Sequence, residues 1–392
     1  MNTPSGSGNG GSGFALFNLG FRPFYLLAAL LATAAVPIWL AQYTGLIGHG
    51  AYLSGLAWHA HELIFGFAVA VIVGFLLTAA RNWTSLPTPT GGLLAALAGL
   101  WLAGRVLVYT GPGPLAAAVD VAFLPAAALA LWFPLYRSRN RNLFFVGLLS
   151  LFAAANLAFH LAYAGAIQMS AHAQIRFALY LVVLIVTIMG GRVIPSFTGN
   201  ALRAARVRVS AKLDNGVIAL TVFALAADLA FPGSLWTGAV CLLTAAAHAL
   251  RLWGWDPLAT RRTPILWILH LSYAWISVGF ILLGLSAFGL VPGALAAHAF
   301  GVGAVGGMIL GMMTRTARGH TGRPLQVGPS EVAAYVLVQL AALVRVGGAL
   351  LLPGAYVQLL VTAGALWTAA FVLFLLVYFP ILTQPRADGR PG

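Results

Sequence analysis

Two histidines and a glutamate, His59, His61 and Glu62, stand at the beginning of an apolar run that continues to about residue 80. An ionisable side chain costs roughly 2.5–3.5 kcal/mol at the centre of a membrane helix, so a cluster of them there indicates a functional site. Imidazole is also the commonest side-chain ligand of metals in proteins. The residue types therefore predict a metal or haem site inside a membrane.

Helical geometry limits how these residues can act together. Residues two positions apart differ by about 200° around a helix, so His59 and His61 point to opposite sides and cannot chelate one ion. Each histidine either serves a different centre, or one is a ligand while the other forms hydrogen bonds. Glu62 shares a helical face with His59 and is predicted to hydrogen-bond its ring and fix its tautomer.

The composition is that of a polytopic membrane protein. Of 392 residues, 61% are hydrophobic and 7% are charged, and the mean hydropathy is +0.93. Soluble domains contain about 25% charged residues. The net charge of +14 comes from basic residues between apolar runs, which the positive-inside rule explains without a nucleic-acid partner. A single cysteine, Cys241, excludes an intramolecular disulfide.

About 20 apolar residues cross a bilayer as a helix, and the sequence predicts an all-α bundle of about twelve such spans between residues 24 and 380. Residues 1–23, of which 1–13 are rich in glycine and serine, and residues 381–392 are predicted tails. Lysine and arginine occur only in alternate connections, which predicts that both termini are cytoplasmic. The predicted spans are 24–42, 57–80, 92–110, 115–136, 143–165, 173–195, 214–231, 235–253, 264–289, 293–314, 330–352 and 356–380.

This topology converts sequence position into depth. Four histidines, His59, His61, His160 and His298, fall at similar levels near the outer face, while His248 and His270 form a separate inner layer. A single intramembrane histidine usually forms hydrogen bonds between helices, but four at one depth favour ligation of at least one cofactor.

Small residues at intervals of four along the tenth span predict close helix packing. Contact with a flat macrocycle is the alternative interpretation.

Three arginines, Arg105, Arg176 and Arg345, lie in the outer third of the bundle. Arginine binds carboxylates in a bidentate manner, so they are candidates for haem propionates. The equal alternative is structural pairing with the three acidic residues at comparable depth. These are Glu62, Asp120 and Asp228.

Several polar motifs together resemble one known family over nearly the whole chain. They are Gly20–Phe24, Trp58–Glu62, Gly74–Ala79, Arg192–Asn200, His270–Trp275, Met312–Arg315 and Gly319–Leu325. These segments are similar to those of the NnrS family. The resemblance implies a twelve-helix protein of the bacterial inner membrane that contains haem and copper and acts in nitric oxide metabolism and resistance to nitrosative stress. The positions that match the family's polar motifs are His59, His61, Glu62, His270, His298 and His320, with His160 a weaker match.

A looser likeness connects the chain to haem–copper oxidases and nitric oxide reductases, which have histidine ligands on helices 2 and 10. The seventh span here lacks the histidine pair expected for their copper, so a binuclear centre of that type is doubtful. The likeness concerns the fold alone.

Together these observations predict haem b near the outer face, held by His298 and by His59 or His61, with Arg105, Arg176 and Arg345 at its propionates. Copper is predicted at the remaining outer histidines, including His160, with Glu62 as a further candidate ligand and His270 as an inner one. The expected partners are the lipid bilayer, nitric oxide or another small diatomic, and an electron donor that the sequence does not identify. Redox turnover is left open. The alternatives are a transporter of copper, haem or a small anion with a histidine and glutamate relay, and a nitric oxide sensor without turnover.

Overall fold

The computed structural model describes residues 13–390, so residues 1–12 of the predicted flexible tail lie outside the described residues. Within that range all regular secondary structure is helical, and twelve helices are long and apolar enough to cross a membrane, as predicted. We label them in chain order: α1 Phe21–Tyr43, α2 Gly55–Thr84, α3 Gly91–Thr110, α4 Gly113–Arg137, α5 Arg141–Tyr163, α6 Ala171–Ala201, α7 Ala211–Ala230, α8 Leu235–Gly254, α9 Pro264–Ala287, α10 Gly293–His320, α11 Pro329–Leu351 and α12 Pro353–Thr383.

The helix boundaries differ from the predicted ones at most ends, by one to six residues. Helix α1 begins at Phe21, and α6 continues past the predicted end at residue 195 to Ala201, with Pro195 inside the helix. Proline is tolerated inside membrane helices because neighbouring groups satisfy the freed backbone atoms. The acidic residues Asp120 and Asp228 lie inside α4 and α7, and each is paired with an arginine.

Helices adjacent in sequence pack as neighbours, and α1 also packs against α12. Helices α2, α9 and α10 are the most deeply buried and form the centre of the bundle. Both ends of the described chain lie together, since the Ala15 backbone N–H donates to the Thr383 carbonyl at 2.7 Å. We call this the terminal end of the bundle, and we call the other end, where α1 stops and α2 begins, the distal end.

Three of the helices contain a π-helical segment. These are Glu62–Ala68 in α2, Ala299–Gly306 in α10 and Val344–Gly348 in α11. A π turn holds an extra residue, which changes the helical face that the following residues present, and such turns are frequent at functional sites. The first begins directly after His61, the second directly after His298, and the third contains Arg345.

The glycines of α10 have two different roles. A Cβ at Gly303 would collide with the Trp275 ring of α9, and one at Gly311 would lie 2.9 Å from Cγ2 of Ile268. The small residues predicted as a packing stripe therefore bring α10 close to α9. Gly301 lies outside the stripe, and a Cβ there would meet nothing within 4 Å.

Candidate functional site

A cavity with a volume of about 510 Å³ lies in the distal half of the bundle, between α1, α2, α6, α7 and α9–α12. Its walls are mainly aliphatic and aromatic, with a few polar side chains. A volume of this size is typical of a pocket for a small molecule or a cofactor. The polar or ionisable side chains on its walls are His59, His172, Arg176, Tyr180, Asp228, Ser286, His298 and Arg345.

Two imidazoles from the central helices face this cavity. The Nδ1–H of His298 donates to the Ala294 carbonyl at 2.7 Å, which leaves the Nε2 lone pair available. His59 stacks on Trp39 with ring centroids 4.1 Å apart, and its buried Nδ1 has no hydrogen-bond partner among the described residues. Both rings are therefore oriented by the protein, and His298 keeps its Nε2 available to a ligand.

Two arginines lie on the same walls. Nη1 of Arg176 is 3.6 Å from Oδ2 of Asp228, which also accepts a 2.6 Å hydrogen bond from the Tyr180 hydroxyl. Arg345 donates to the Tyr356 hydroxyl at 3.2 Å and has no carboxylate partner among the described residues. At least one full positive charge is thus left for an anionic group in the cavity.

His61 lies elsewhere, in a buried cluster between α2, α4 and α5. Its Nε2 is 3.2 Å from Oδ2 of Asp120, and Nε2 of His160 is 2.9 Å from that same oxygen. One donor atom from each of the three residues lies within 4.8 Å of the others. Two imidazoles and a carboxylate are a ligand set for first-row transition metals.

The neighbours of this cluster fix its geometry. The Tyr52 hydroxyl lies 3.0 Å from Nδ1 of His160, and Asn156 donates to Asp120 at 2.8 Å. Arg105 forms ion pairs with Asp120 and, at 2.7 Å, with Glu62. With neutral imidazoles, two carboxylates and one guanidinium leave one negative charge, so the buried cluster can accept a cation.

Two expectations about these residues need correction. Glu62 does not orient His59, because its Oε1 is 3.0 Å from Nδ1 of His61 and is also held by Arg105. Arg105 does not line the cavity, and its charge is used by the two carboxylates. The predicted separation of His59 and His61 onto opposite sides of α2 is confirmed.

The inner histidines are not brought together with the others. Both ring nitrogens of His248 have hydrogen-bond partners, the hydroxyls of Tyr273 and Thr221, each at 2.9 Å. Nδ1 of His270 donates to the Leu266 carbonyl at 3.1 Å. Among the described residues, neither belongs to a group that could hold a metal.

Asp120 was predicted only as a partner of an arginine, and His172 and Tyr180 were not among the predicted site residues. Asp120 lies inside an apolar span, where a carboxylate is costly, and this position could have identified it as a candidate site residue. His172 is the second residue of α6 and is exposed at the cavity opening. Only the three-dimensional packing shows that Tyr180 shares the cavity with His59 and His298.

These features define a class of protein, a polytopic α-helical membrane protein with an amphipathic cavity and a separate buried His–Asp–His cluster. A model of the NnrS protein family matches residues 15–386, nearly the whole chain, and the chain belongs to that family. Membership indicates a role in nitric oxide metabolism or response. A comparison with curated proteins found no match.

Proposed function

We propose that the cavity holds haem b between His59 and His298 and that the protein binds nitric oxide there to protect the cell from nitrosative stress. The observation that supports this best is the convergence of two oriented imidazoles from α2 and α10 on one largely apolar cavity. When bound, haem would supply iron, which could take a diatomic ligand in exchange for one of the two imidazoles.

The residues present fit this group. The Nε2 of His298 is available because its Nδ1–H is bound to Ala294, which is the arrangement that fixes a ligating tautomer. The missing side chain of Gly301 leaves open space beside the imidazoles. Arg176 and Arg345 supply guanidinium groups for the two propionates.

The rest of the cavity excludes water from the bound group. Phe67, Val305 and Trp367 are all at least 96% buried and lie deeper than the histidines. An apolar wall would keep competing water away from the bound group and would admit an uncharged diatomic from the hydrocarbon phase. Tyr180, held by Asp228, provides a hydroxyl at the wall of the same cavity.

Copper, the second cofactor that the resemblance implies, is proposed at His61, Asp120 and His160. The three donor atoms are close enough for one ion, and the net negative charge of the cluster favours a cation. The Tyr52 hydroxyl at Nδ1 of His160 directs Nε2 of that ring towards the site. Glu62 and Arg105 then balance charge around the ion.

An optical spectrum of the purified protein tests the haem site. Wild-type protein is expected to show a Soret band that shifts when nitric oxide is added to the reduced form. His298→Ala and His59→Ala are expected to lose haem or shift the band. His49→Ala, an exposed histidine outside the cavity, is the matched control. A wild-type protein without a Soret band would contradict the proposal and favour the transporter.

Metal analysis and electron paramagnetic resonance test the copper site separately. About one copper per chain is expected, with hyperfine coupling to two nitrogens. His160→Ala should lose copper or one nitrogen coupling while the Soret band is unchanged. Retention of the full copper signal in both His160→Ala and Asp120→Ala would contradict this assignment.

The orientation in the bilayer is part of the same proposal. We place the terminal end in the cytoplasm of a bacterium and the distal end outside, since the connections at the terminal end contain the basic residues. This makes the haem cavity a site of the outer half of the inner membrane.

A further inference from the structure

The cavity opens at the distal end of the bundle. Its outermost lining residues lie in the first turns or connections at that end, and they are exposed. Leu56 is the second residue of α2 and is 58% exposed. His172 has the same position in α6, and Pro232 and Gly233 lie in the connection between α7 and α8. The remaining exposed lining residues at this level are Gly293, Ala294 and Ala297 of α10.

The cavity floor has the opposite character. Phe67, Val182 and Val305 each lie eleven or twelve residues inside their helices, a depth of about 17 Å at 1.5 Å per residue. All three are at least 96% buried, and Ala68 and Trp367 are further apolar lining residues deep in the cavity. By the same measure the backbone positions of the cavity histidines and arginines lie only about 6–9 Å from the distal end.

We propose that the cavity is loaded through its distal opening and that the macrocycle lies edge-on, with its apolar edge on the floor and its two carboxylates towards the opening. This rests on the proposed haem site, but it adds the side of access and the orientation of the ligand. A dicarboxylate placed the other way would bring two charges against Phe67 and Val305, where the described lining residues offer no charged group to pair with them.

The positions of the arginines agree with this orientation. Arg176 on α6 and Arg345 on α11 come from different walls at the upper level of the cavity. The distance between Nη1 of Arg176 and Oδ2 of Asp228 is 3.6 Å, which is longer than a hydrogen bond, so this pairing is loose. Arg345 can therefore take one carboxylate outright, and Arg176 can contact the other while it stays paired with Asp228.

Thiol labelling tests the route of access. In a Cys241→Ala background, single cysteines are introduced at Val305 on the floor, at Ala166 in the distal connection between α5 and α6, and at Arg262 in a connection at the terminal end. A small, charged, membrane-impermeant methanethiosulfonate is applied to sealed vesicles. The Val305→Cys variant of the haem-free protein is expected to react only from the side on which Ala166→Cys reacts. Bound haem should slow the reaction of Val305→Cys at least tenfold and leave the reaction rate of Ala166→Cys unchanged.

Reaction of Val305→Cys from the Arg262→Cys side, or from neither side, would overturn the proposed access route. Equal reactivity with and without haem, in protein that shows a Soret band, would overturn the edge-on placement. If no Soret band exists, the haem site fails, but the side of access is still decided by the haem-free reaction. The two failures are therefore distinguishable.

The orientation has its own test with modified haem. Arg345→Gln and Arg176→Gln should weaken haem binding roughly tenfold each, because a hydrogen bond to a charged group contributes about that much. Neither substitution should affect binding of the haem dimethyl ester, which has no carboxylates. Arg192→Gln, whose guanidinium is bonded to Asn142 away from the cavity, is the control. An equal loss for haem and its ester would overturn the placement of the carboxylates.

Discussion

The buried ion cluster around Arg105 gives the sharpest residue-scale prediction for stability. Arg105 pairs with Glu62 and Asp120, and all three residues are at least 93% buried. Arg105→Gln would leave two carboxylates without a counter-charge, and breaking a buried pair in this way costs about 3–5 kcal/mol. Chemical unfolding of the detergent-solubilised protein measures this loss.

The control for this prediction is Arg203→Gln, which removes an exposed arginine in a connection at the terminal end. Its free energy of unfolding should match that of the wild type. Adding Asp120→Asn to Arg105→Gln should recover part of the loss, because it removes one of the unpaired charges. A single Arg105→Gln variant as stable as the control would refute the role assigned to this arginine.

A second residue-scale prediction concerns the C-terminal segment. The side-chain hydrogen bond from Arg386 lowers the pKa of Asp388 from its ordinary value of 3.8 to about 2. A lowered pKa means that the ion pair stabilises the folded segment above pH 4 and is lost as the pH falls from about 4 to 2. Arg386 also donates to the His320 carbonyl, and the Ala387 N–H donates to Thr321.

Hydrogen exchange at Ala387 reports this transition. After correction for the intrinsic rate, protection of the Ala387 amide should fall between pH 4 and pH 2 in the wild type. Asp388→Asn should show the lower protection at every pH and no step in this range. A step at the same pH in both proteins would exclude Asp388 as its cause.

At the scale of the element, two glycines of α10 form a matched pair. Gly303→Ala should reduce stability by about 1–3 kcal/mol, because the new Cβ would press on Trp275 in a packed interior. Gly301→Ala should not reduce stability, because its Cβ meets nothing within 4 Å. It should instead weaken haem binding by narrowing the cavity. Unfolding and haem titration of both variants measure the two effects, and a haem defect confined to Gly303→Ala would contradict the assignment.

The sequence predicted the elements well and their local geometry less well. Apolar length alone gives all twelve helices, because a bilayer excludes other regular structures for these segments. The π turns after His61 and His298 were not predicted. Nothing in ordinary helical periodicity signals an extra residue per turn, since tertiary packing decides where such a turn is stable.

In the candidate sites too, helical geometry could be predicted from the sequence, whereas the contacts between helices could not. The rotation between His59 and His61 is a property of any helix, so the sequence could separate them. Which helices stand opposite each histidine depends on the order of packing, and this decides that Asp120 and His160 join His61. For the same reason, the sequence could not choose between the two interpretations of the arginines. The structure assigns Arg105 to carboxylates and leaves Arg345 in the cavity.

At the scale of the whole molecule, the proposed function predicts a phenotype. A bacterium deprived of this protein should grow more slowly than its parent when exposed to nitric oxide. Wild-type protein and His49→Ala should restore growth. His298→Ala should not, because it removes an imidazole from the cavity, whereas His49 lies outside the cavity. Growth curves at matched expression levels provide the measurement. Full protection by His298→Ala would separate the phenotype from the proposed haem site.

The ion cluster between α2, α4 and α5 also has a consequence for biosynthesis. Glu62, Arg105 and Asp120 belong to three successive helices, α2, α3 and α4. Each charge alone makes partition of its helix into lipid less favourable by up to about 3 kcal/mol, whereas Arg105 forms ion pairs with both acidic partners once the helices meet. The three helices are therefore expected to leave the translocon together as one unit. A ribosome-bound chain that ends after α2 should retain that helix beside the translocon until α3 is made.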